Sequence, residues 1–260
     1  MNHSKRHGEI LRLLKEEGTV TIADLAERLG VSLETVRRDV KPLTDDGSVF
    51  KMHGAISLPG IVGEAPFERR MRENAEAKRA IARMVAATIR DGESIMLDCG
   101  TTTSFLAREL AGHRRLTVVT NSSDIARTLA TTNGNKVYMA GGELRPDSGA
   151  AFGVSAIDFV RRFGVDHAVI SAGAVDATGG VMDHDLEEAE FAAMVLSRGQ
   201  RSVVITDHTK FGRQGLVRVC GFSGFSELAT NQAPPADIAA ALEAAGTRLR
   251  VAANGGQNPA

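Results

Sequence analysis

The chain has 260 residues, 31 Lys and Arg against 32 Asp and Glu, a formal net charge of −1, and 43% hydrophobic residues. That length and apolar content fit one large domain or two smaller ones with a real core. No apolar run approaches the roughly 18 residues of a bilayer span, which argues against a membrane partner. The neutral balance excludes nucleic-acid binding by bulk charge, so such binding has to rest on a local patch.

The two cysteines, Cys99 and Cys220, form no CxxC pair, and the first ten residues, "MNHSKRHGEI", carry charges in place of an apolar core. The expectation is a cytoplasmic protein with reduced thiols. "KRHGEILRLLKEEG" then places Ile10, Leu11, Leu13 and Leu14 on an amphipathic helix that Gly18 ends. "TIADLAERLG" sets Ile22, Leu25, Ala26 and Leu29 at i, i+3, i+4, i+7 and closes on Gly30. In "VSLETVRRDVKPLTDDG", Ser32 is a good N-cap, and Glu34 lies near the positive end of the helix dipole. Leu33, Val36, Val40 and Leu43 fall on one side of this helix, and Glu34, Arg37, Arg38 and Lys41 on the other. Pro42 removes a helix hydrogen bond and disfavours helical geometry at Lys41, predicting a bend there without loss of the helix. "SVFKMHGAISL" is β-rich and interrupted by Gly54. Over 1–58 this is the order of a winged helix-turn-helix.

Residues 1–53 hold nine basic and nine acidic side chains, so the segment is neutral. The basic ones nevertheless gather on the third helix, on the wing (Lys51, His53) and at the N-terminus (Lys5, Arg6). Arginine in a major groove can donate two bonds to guanine, while lysine more often neutralises phosphate. Ser32 and Thr35, at the helix start, are placed to bond phosphate. The competing reading is an ordinary solvated helix face.

A stretch at 59–76, rich in Pro, Gly and charge, reads as a linker feeding a helix. Strand candidates follow: "SIMLD", "LTVVTN", "KVYMAGG", "HAVISAGAV", "RSVVITD" and "LVRVC". Helical stretches are expected over 77–89, 104–110, 124–130, 155–163 and 186–197. Alternating strands and helices predict an α/β domain over 77–250, with a mostly parallel sheet covered on both faces. Residues 251–260 are read as a disordered tail.

In "IMLDCGTTTSFL" a strand ends at Asp98, Gly100 permits a tight turn, and a helix is expected from Thr102 or Thr103. In open α/β sheets ligands bind beyond the carboxyl ends of strands, and a helix start suits a phosphate. Asp98, Gly100, Thr101, Thr102 and Thr103 are therefore effector candidates; an N-capping Thr beside a turn Gly is the plain alternative. Other strand ends carry similar chemistry: Thr120, Asn121 and Ser122; Gly141 and Gly142; Gly173; and Asp207, Thr209 and Lys210. Together they suggest a site for a small phosphorylated polyol, with Lys210 supplying charge. No Walker A loop is present. Cys99 at a helix start is a weaker nucleophile candidate. Asp183, His184, Asp185 and Glu188 have some metal-site character, although acids also favour helix starts, and Glu188 is alternatively read as facing sugar hydroxyls in the cleft. No cofactor or metal is expected. His113, His167 and His208 have no partner legible in the sequence.

The stretch "GTVTIADLAERLGVSLETVRRDVKPLTDDGSVFKMHGA" resembles the N-terminal motif of the DeoR family of bacterial transcription regulators, whose recognition helix reads VS-x-x-T-I/V-R-R-D-L/V. Asp-x-Gly-Thr/Ser-Thr/Ser, Thr-Asn, Gly-Gly and Asp-x-Thr/Ser-Lys-Phe/Ile/Leu-Gly recur in the family's second half in the same order. The resemblance covers about residues 5–240. It implies that Ser32, Thr35, Arg37 and Arg38 contact double-stranded operator DNA. It also implies that Asp98, Gly100, Thr101, Thr102, Asn121 and Lys210 hold the effector, in a sensor domain similar to ribose-5-phosphate isomerase. Two departures stand out: His53-Gly54-Ala55 where the family has His-Gly-Gly-Ala, and Asn231 where it tends to have Thr-Asp. The expectation is a non-enzymatic repressor of a sugar or polyol operon, nucleoid-associated when bound to DNA, a homodimer or homotetramer, released by a phosphorylated sugar. The alternatives are an isomerase-like enzyme carrying a DNA-binding module, with Asp98, Asp207 and Glu188 as available acids, and more weakly an RNA-binding module.

Overall fold

The computed structural model describes residues 3–17, 19–52, 55–58 and 66–252. They divide into two compact units, with the boundary between Arg69 and Arg70. Gly18, His53, Gly54, residues 59–65 of the expected linker and residues 253–260 of the expected tail lie outside the described residues.

In the first unit, α1 (His3–Glu17), α2 (Ile22–Leu29) and α3 (Leu33–Asp45) accompany β1 (Thr19–Thr21), β2 (Phe50–Met52) and β3 (Ala55–Ser57). The strands form an antiparallel sheet in the order β1-β3-β2. This is the winged helix expected from the sequence, with β1 as an added strand too short to announce itself. Thr21 caps α2 by accepting from Asp24 N–H at 3.0 Å, and Gly30, at φ 63°, ends it. Ile10, Leu14, Leu25, Val36, Val40 and Ile56 make the buried centre. Leu33 is not part of it. At the first helical position it is 47% exposed, and the buried face of α3 instead takes in Asp39. The helix runs through Pro42 to Asp45, because bonds downstream survive: Asp46 N–H donates to Pro42 O at 2.9 Å. Within the expected linker, α4 (Phe67–Arg72) is helical.

The second unit is built on α5 (Ala75–Ala86), β4 (Ser94–Leu97), α6 (Thr101–Leu110), β5 (Thr117–Thr120), α7 (Ser123–Ala130), β6 (Lys136–Met139), α8 (Val154–Val160), β7 (Val165–Ser171), α9 (Leu186–Leu196), β10 (Gly199–Thr206), β12 (Glu227–Thr230), α10 (Ala236–Ala244) and β13 (Arg248–Val251). Seven strands form one parallel sheet in the order β13-β12-β10-β7-β4-β5-β6. Side chains alternate across it. Ile95, Leu97, Val169, Val203 and Ile205 pack with α5 and α6, while Met96, Ala168, Ile170 and Val204 pack with α9 and α10. Both faces are covered, so the strands read as continuous apolar runs.

Three expectations change. "LVRVC" forms β11 (Val217–Cys220) and belongs to a separate antiparallel sheet, β11-β9-β8, with β8 (Ala174–Asp176) and β9 (Gly180–Asp183). "HAVISAGAV" is accordingly split between β7 and β8. The sheet gains β12 and β13, "ELAT" and "RLRV", which are too short and too polar to stand out. Finally, α6 starts at Thr101, ahead of the expected Thr102 or Thr103, because extended Gly100 already acts as its cap, with Ser104 N–H donating to Gly100 O at 2.9 Å. Among the described residues, no helix is long and apolar enough to cross a membrane.

Candidate nucleic-acid interface and effector site

The start of α3 is fixed by Ser32, whose Oγ accepts from Thr35 N–H at 3.2 Å and lies 2.9 Å from Thr35 Oγ1. Both hydroxyls therefore sit at the free N–H end of the helix. Arg37, Arg38, Lys41 and Lys51 are exposed, and with Glu34 and Thr44 they line one groove of about 480 Å³. Of the sequence-predicted residues, Arg37, Arg38, Lys41 and Lys51 thus share one groove, while Ser32 and Thr35 are not among its lining; His53 lies outside the described residues. Arg37 is 3.8 Å from Glu34, with both side chains mostly in solvent, a contact weak enough to be exchanged for another partner.

Arg6 is different from the expected N-terminal basic group. Its Nε and Nη2 donate to the two carboxylate oxygens of Asp39 at 2.6 and 3.2 Å, and Asp39 is fully buried. A forked guanidinium on a buried carboxylate holds α3 against α1. Asp39, in the middle of "VRRDV", therefore positions the helix that its two neighbours project from. Asp39→Asn is expected to lower the thermal midpoint of the first unit by roughly 4 °C or more, a shift of ordinary size for losing one such bond in a small domain. Arg37→Ala should leave the midpoint unchanged. Equal midpoints for wild type and Asp39→Asn in scanning calorimetry would refute the positioning role.

In the second unit the winding reverses between β4 and β7. From β4 the chain proceeds outward through β5 and β6; from β7 it proceeds the other way through β10, β12 and β13. The crevice beyond the carboxyl ends of these two strands is where such sheets bind ligands. Asp98 lies there, its carboxylate accepting from Ser171 N–H at 3.0 and 3.2 Å. Burial pushes this carboxyl well above the usual range; the Ser171 amide opposes the rise, and the nearby acids Asp183 and Glu188 add to it. Gly100 is in close contact with β7: a methyl group there would lie 1.8 Å from Ser171 Oγ. Burial also pushes the Cys99 thiol up to about 12, which keeps it protonated and removes support for a nucleophile.

The remaining predicted residues take distinct places. Thr101, Thr102 and Thr103 are all buried; Thr103 donates to Gly100 O at 2.9 Å and lies 3.1 Å from Asp98 O, so its hydroxyl serves the turn. Asn121 is buried and its amide donates to Ala151 O at 2.9 Å. Gly141 and Gly142 are exposed. Glu188 accepts from Arg145 at 2.9 Å, and Arg145 also binds Asp185 at 2.8 Å and Glu187 at 2.7 Å. The acids read as a metal candidate are therefore largely engaged: Asp185 caps α9, and Asp183 accepts from the His184 and Asp185 amides.

A cavity of about 220 Å³ brings together Thr101, Asp207, Thr209 and Lys210 from the predicted strand ends. It also takes in Arg70, Glu73, Asn74, Lys78 and Arg213, which the sequence reading did not single out. Four cations face two carboxylates, an excess of positive charge suited to a dianion. Arg70, Glu73, Asn74 and Lys78 belong to "ERRMRENAEAKR", a charged run preceding β4, whereas Arg213 lies in the loop after β10. Asp98, Gly100, Thr102, Thr103, Asn121, Gly141, Gly142 and Glu188 do not line this cavity. The three unplaced histidines acquire partners: His113 Nε2 is 3.0 Å from Ile89 O, and His167 Nε2 is 2.8 Å from Glu93. Asn231 meets His208 with both arms, Oδ1 accepting from its N–H at 2.9 Å and Nδ2 lying 3.0 Å from its Nδ1. An aspartate could not supply that second arm as a donor.

A winged helix with an exposed basic groove, followed by a doubly covered parallel α/β domain with a cation-lined cavity, is the build of a DNA-binding regulator with a small-molecule sensor. Residues 6–60 match the DeoR-like helix-turn-helix domain, and residues 73–232 match the DeoR C terminal sensor domain. The chain belongs to the DeoR family of transcriptional regulators. It is 31% identical to the glycerol-3-phosphate regulon repressor of Escherichia coli (strain K12), over 92% of this chain and 94% of that one. It is 34% identical to the HTH-type transcriptional repressor CsqR of the same organism, over 92% of this chain and 91% of that one. Among solved structures, ribose 5-phosphate isomerase A from Neisseria gonorrhoeae aligns over 53% of each chain at 18% identity, with a TM-score of 0.39.

Proposed function

We propose that the protein is a repressor of a sugar or polyol catabolic operon that releases double-stranded operator DNA when a phosphorylated sugar or polyol occupies the second unit. The observation that carries this reading is the cavity lined by Thr101, Lys210, Arg70, Lys78 and Arg213 at the carboxyl end of the sheet. A phosphate there meets the α6 start and four cations. The rest of the ligand extends toward Asp98, Asp183 and Glu188, whose carboxyl oxygens suit hydroxyl groups. A relative named for the glycerol-3-phosphate regulon supports the same ligand class. On the DNA side, Arg37 and Arg38 read bases, Lys41 and Lys51 neutralise phosphate, and Ser32 and Thr35 bond phosphate at the α3 start, with His53 on the wing. The protein acts without turnover, as a dimer or pair of dimers on a palindromic site.

The test is fluorescence anisotropy on the protein's own promoter region, titrated with salt and with pentose, hexose and polyol phosphates. Release by a phosphorylated compound and not by its free sugar is expected. Lys210→Ala should raise the concentration needed for half-release by roughly 10-fold or more, the value of a charged hydrogen bond. A change in DNA affinity with an unaltered response to the phosphate would remove Lys210 from the site. Robust isomerisation of any of these compounds would overturn the non-enzymatic reading.

A further inference from the structure

The cation-lined cavity draws its lining from two stretches far apart in the chain. Arg70, Glu73, Asn74 and Lys78 come from the end of α4, the α4–α5 junction and the start of α5; Asp207, Thr209, Lys210 and Arg213 come from the turn after β10. Residues 70–78 are the first of the second unit, directly following the boundary at Arg69. The segment that leads out of the winged helix is therefore itself part of the cavity wall.

The junction has a defined geometry. Asn74, the residue before α5, is left-handed at φ 52°, a conformation an L side chain adopts at some cost. Its Nδ2 donates to Asp207 Oδ1 at 3.3 Å and to Thr209 Oγ1 at 3.4 Å, both long bonds. On the far side, Asp207 Oδ1 is already satisfied at shorter range by Thr209, from N–H at 3.0 Å and from Oγ1 at 2.6 Å. Lys78 is 3% exposed and donates to the Arg70 carbonyl, which ties α5 back onto the end of α4. Arg70 and Lys78 sit on one wall of the cavity, and Lys210 and Arg213 on the other.

Resting on the reading of this cavity as the phosphate site, we propose that the effector's phosphate binds the connecting segment itself, docking the α4–α5 junction firmly onto the 207–213 turn. An anion shared by both walls adds charge-assisted bonds that span them. Ligand occupancy then biases the geometry of the segment that carries the chain from one unit to the other. That supplies the differential interaction a ligand needs in order to shift a conformational equilibrium.

The experiment is hydrogen exchange on the full-length protein with inorganic phosphate and with a panel of pentose and hexose phosphates, against chloride at matched ionic strength. Amides at 70–78 are expected to slow together with those at 100–104 and 207–213. Arg70→Gln is expected to weaken phosphate binding by about 10-fold, as loss of a charged hydrogen bond does, and to abolish the slowing at 70–78 before that at 207–213. Protection at 100–104 and 207–213 with none at 70–78, or unchanged affinity in Arg70→Gln, overturns the role of the junction and leaves the phosphate site standing. Protection at none of the three with any probe overturns both. Lys78 is buried, so the variant that tests the junction is at half-buried Arg70.

Discussion

Replacing Arg37 and Arg38 together by alanine is expected to lower affinity for operator DNA by roughly 100-fold while leaving the fold intact. Each well-placed arginine on a base edge contributes about 1–3 kcal/mol of discrimination, so two lost together reach that range. The fold is spared because both side chains are exposed, whereas the buried side of the same helix is held by Val36, Val40, Leu43 and the Arg6–Asp39 pair. Salt separates base reading from charge neutralisation. Removing phosphate contacts weakens specific and non-specific DNA alike and flattens the salt dependence, whereas removing base contacts lowers specific binding preferentially. Anisotropy with operator and scrambled duplexes at several salt concentrations reads both. A loss below about 3-fold on the operator, or an equal loss on the scrambled duplex, would contradict base reading by these two residues.

Gly100→Ala is expected to destabilise the second unit by about 1–3 kcal/mol, the usual cost of forcing a group into a packed interior. The added methyl would stand 1.8 Å from Ser171 Oγ and 2.8 Å from Ser171 Cβ, so rotating the serine side chain cannot relieve the overlap. Either α6 shifts away from β4 or the ends of β4 and β7 separate, and both routes disturb the Asp98–Ser171 contact. Ser171→Gly removes the clashing atoms. The double variant should therefore recover most of the lost stability, with a coupling energy well above the few tenths of a kcal/mol expected of independent sites. Urea unfolding of the four proteins measures the cycle. Additive costs would show that the close approach of Gly100 to β7 is not what constrains this position.

Much of the fold was legible because its signals are local. The i, i+3, i+4 spacing in "TIADLAERLG" and the Ser32 cap mark α2 and α3, and continuous apolar strands mark a sheet covered on both sides. What was missed depends on tertiary partners. β12 and β13 are four residues each, and only pairing, of β12 with β10 and of β13 with β12, makes "ELAT" and "RLRV" strands. "LVRVC" has the right composition for a core strand, yet pairs antiparallel with β9, and composition carries no information about which sheet a strand joins. Leu33 fits the helical period and is exposed because it precedes the first packed turn; Asp39 breaks the apolar pattern and is buried because Arg6 satisfies it.

The candidate effector site was legible only in part, for a similar reason. Thr101 and Lys210 follow strands, where ligand groups are expected, and they do share a cavity. Arg70, Asn74, Lys78 and Arg213 lie in a charged run and a loop, whose side chains are mostly solvated in proteins at large. Nothing in their spacing distinguishes them. Conversely, Thr103 and Asn121 look like ligand donors in the sequence, but the Thr103 hydroxyl and the Asn121 amide nitrogen donate to backbone carbonyls.

Because the winding reverses between β4 and β7, ligand choice and foldability are written in different residues. The strands beneath the crevice carry Ile, Val, Leu, Met and Ala in two interdigitating sets, while the polar groups sit on the turns that leave them. A lineage with this architecture can exchange turn residues, and so trade one metabolite for another, without touching the alternation that makes the sheet fold. Divergence in ligand preference among proteins of this build should accordingly be concentrated in the turns, with the strand interiors drifting only among apolar residues of similar volume.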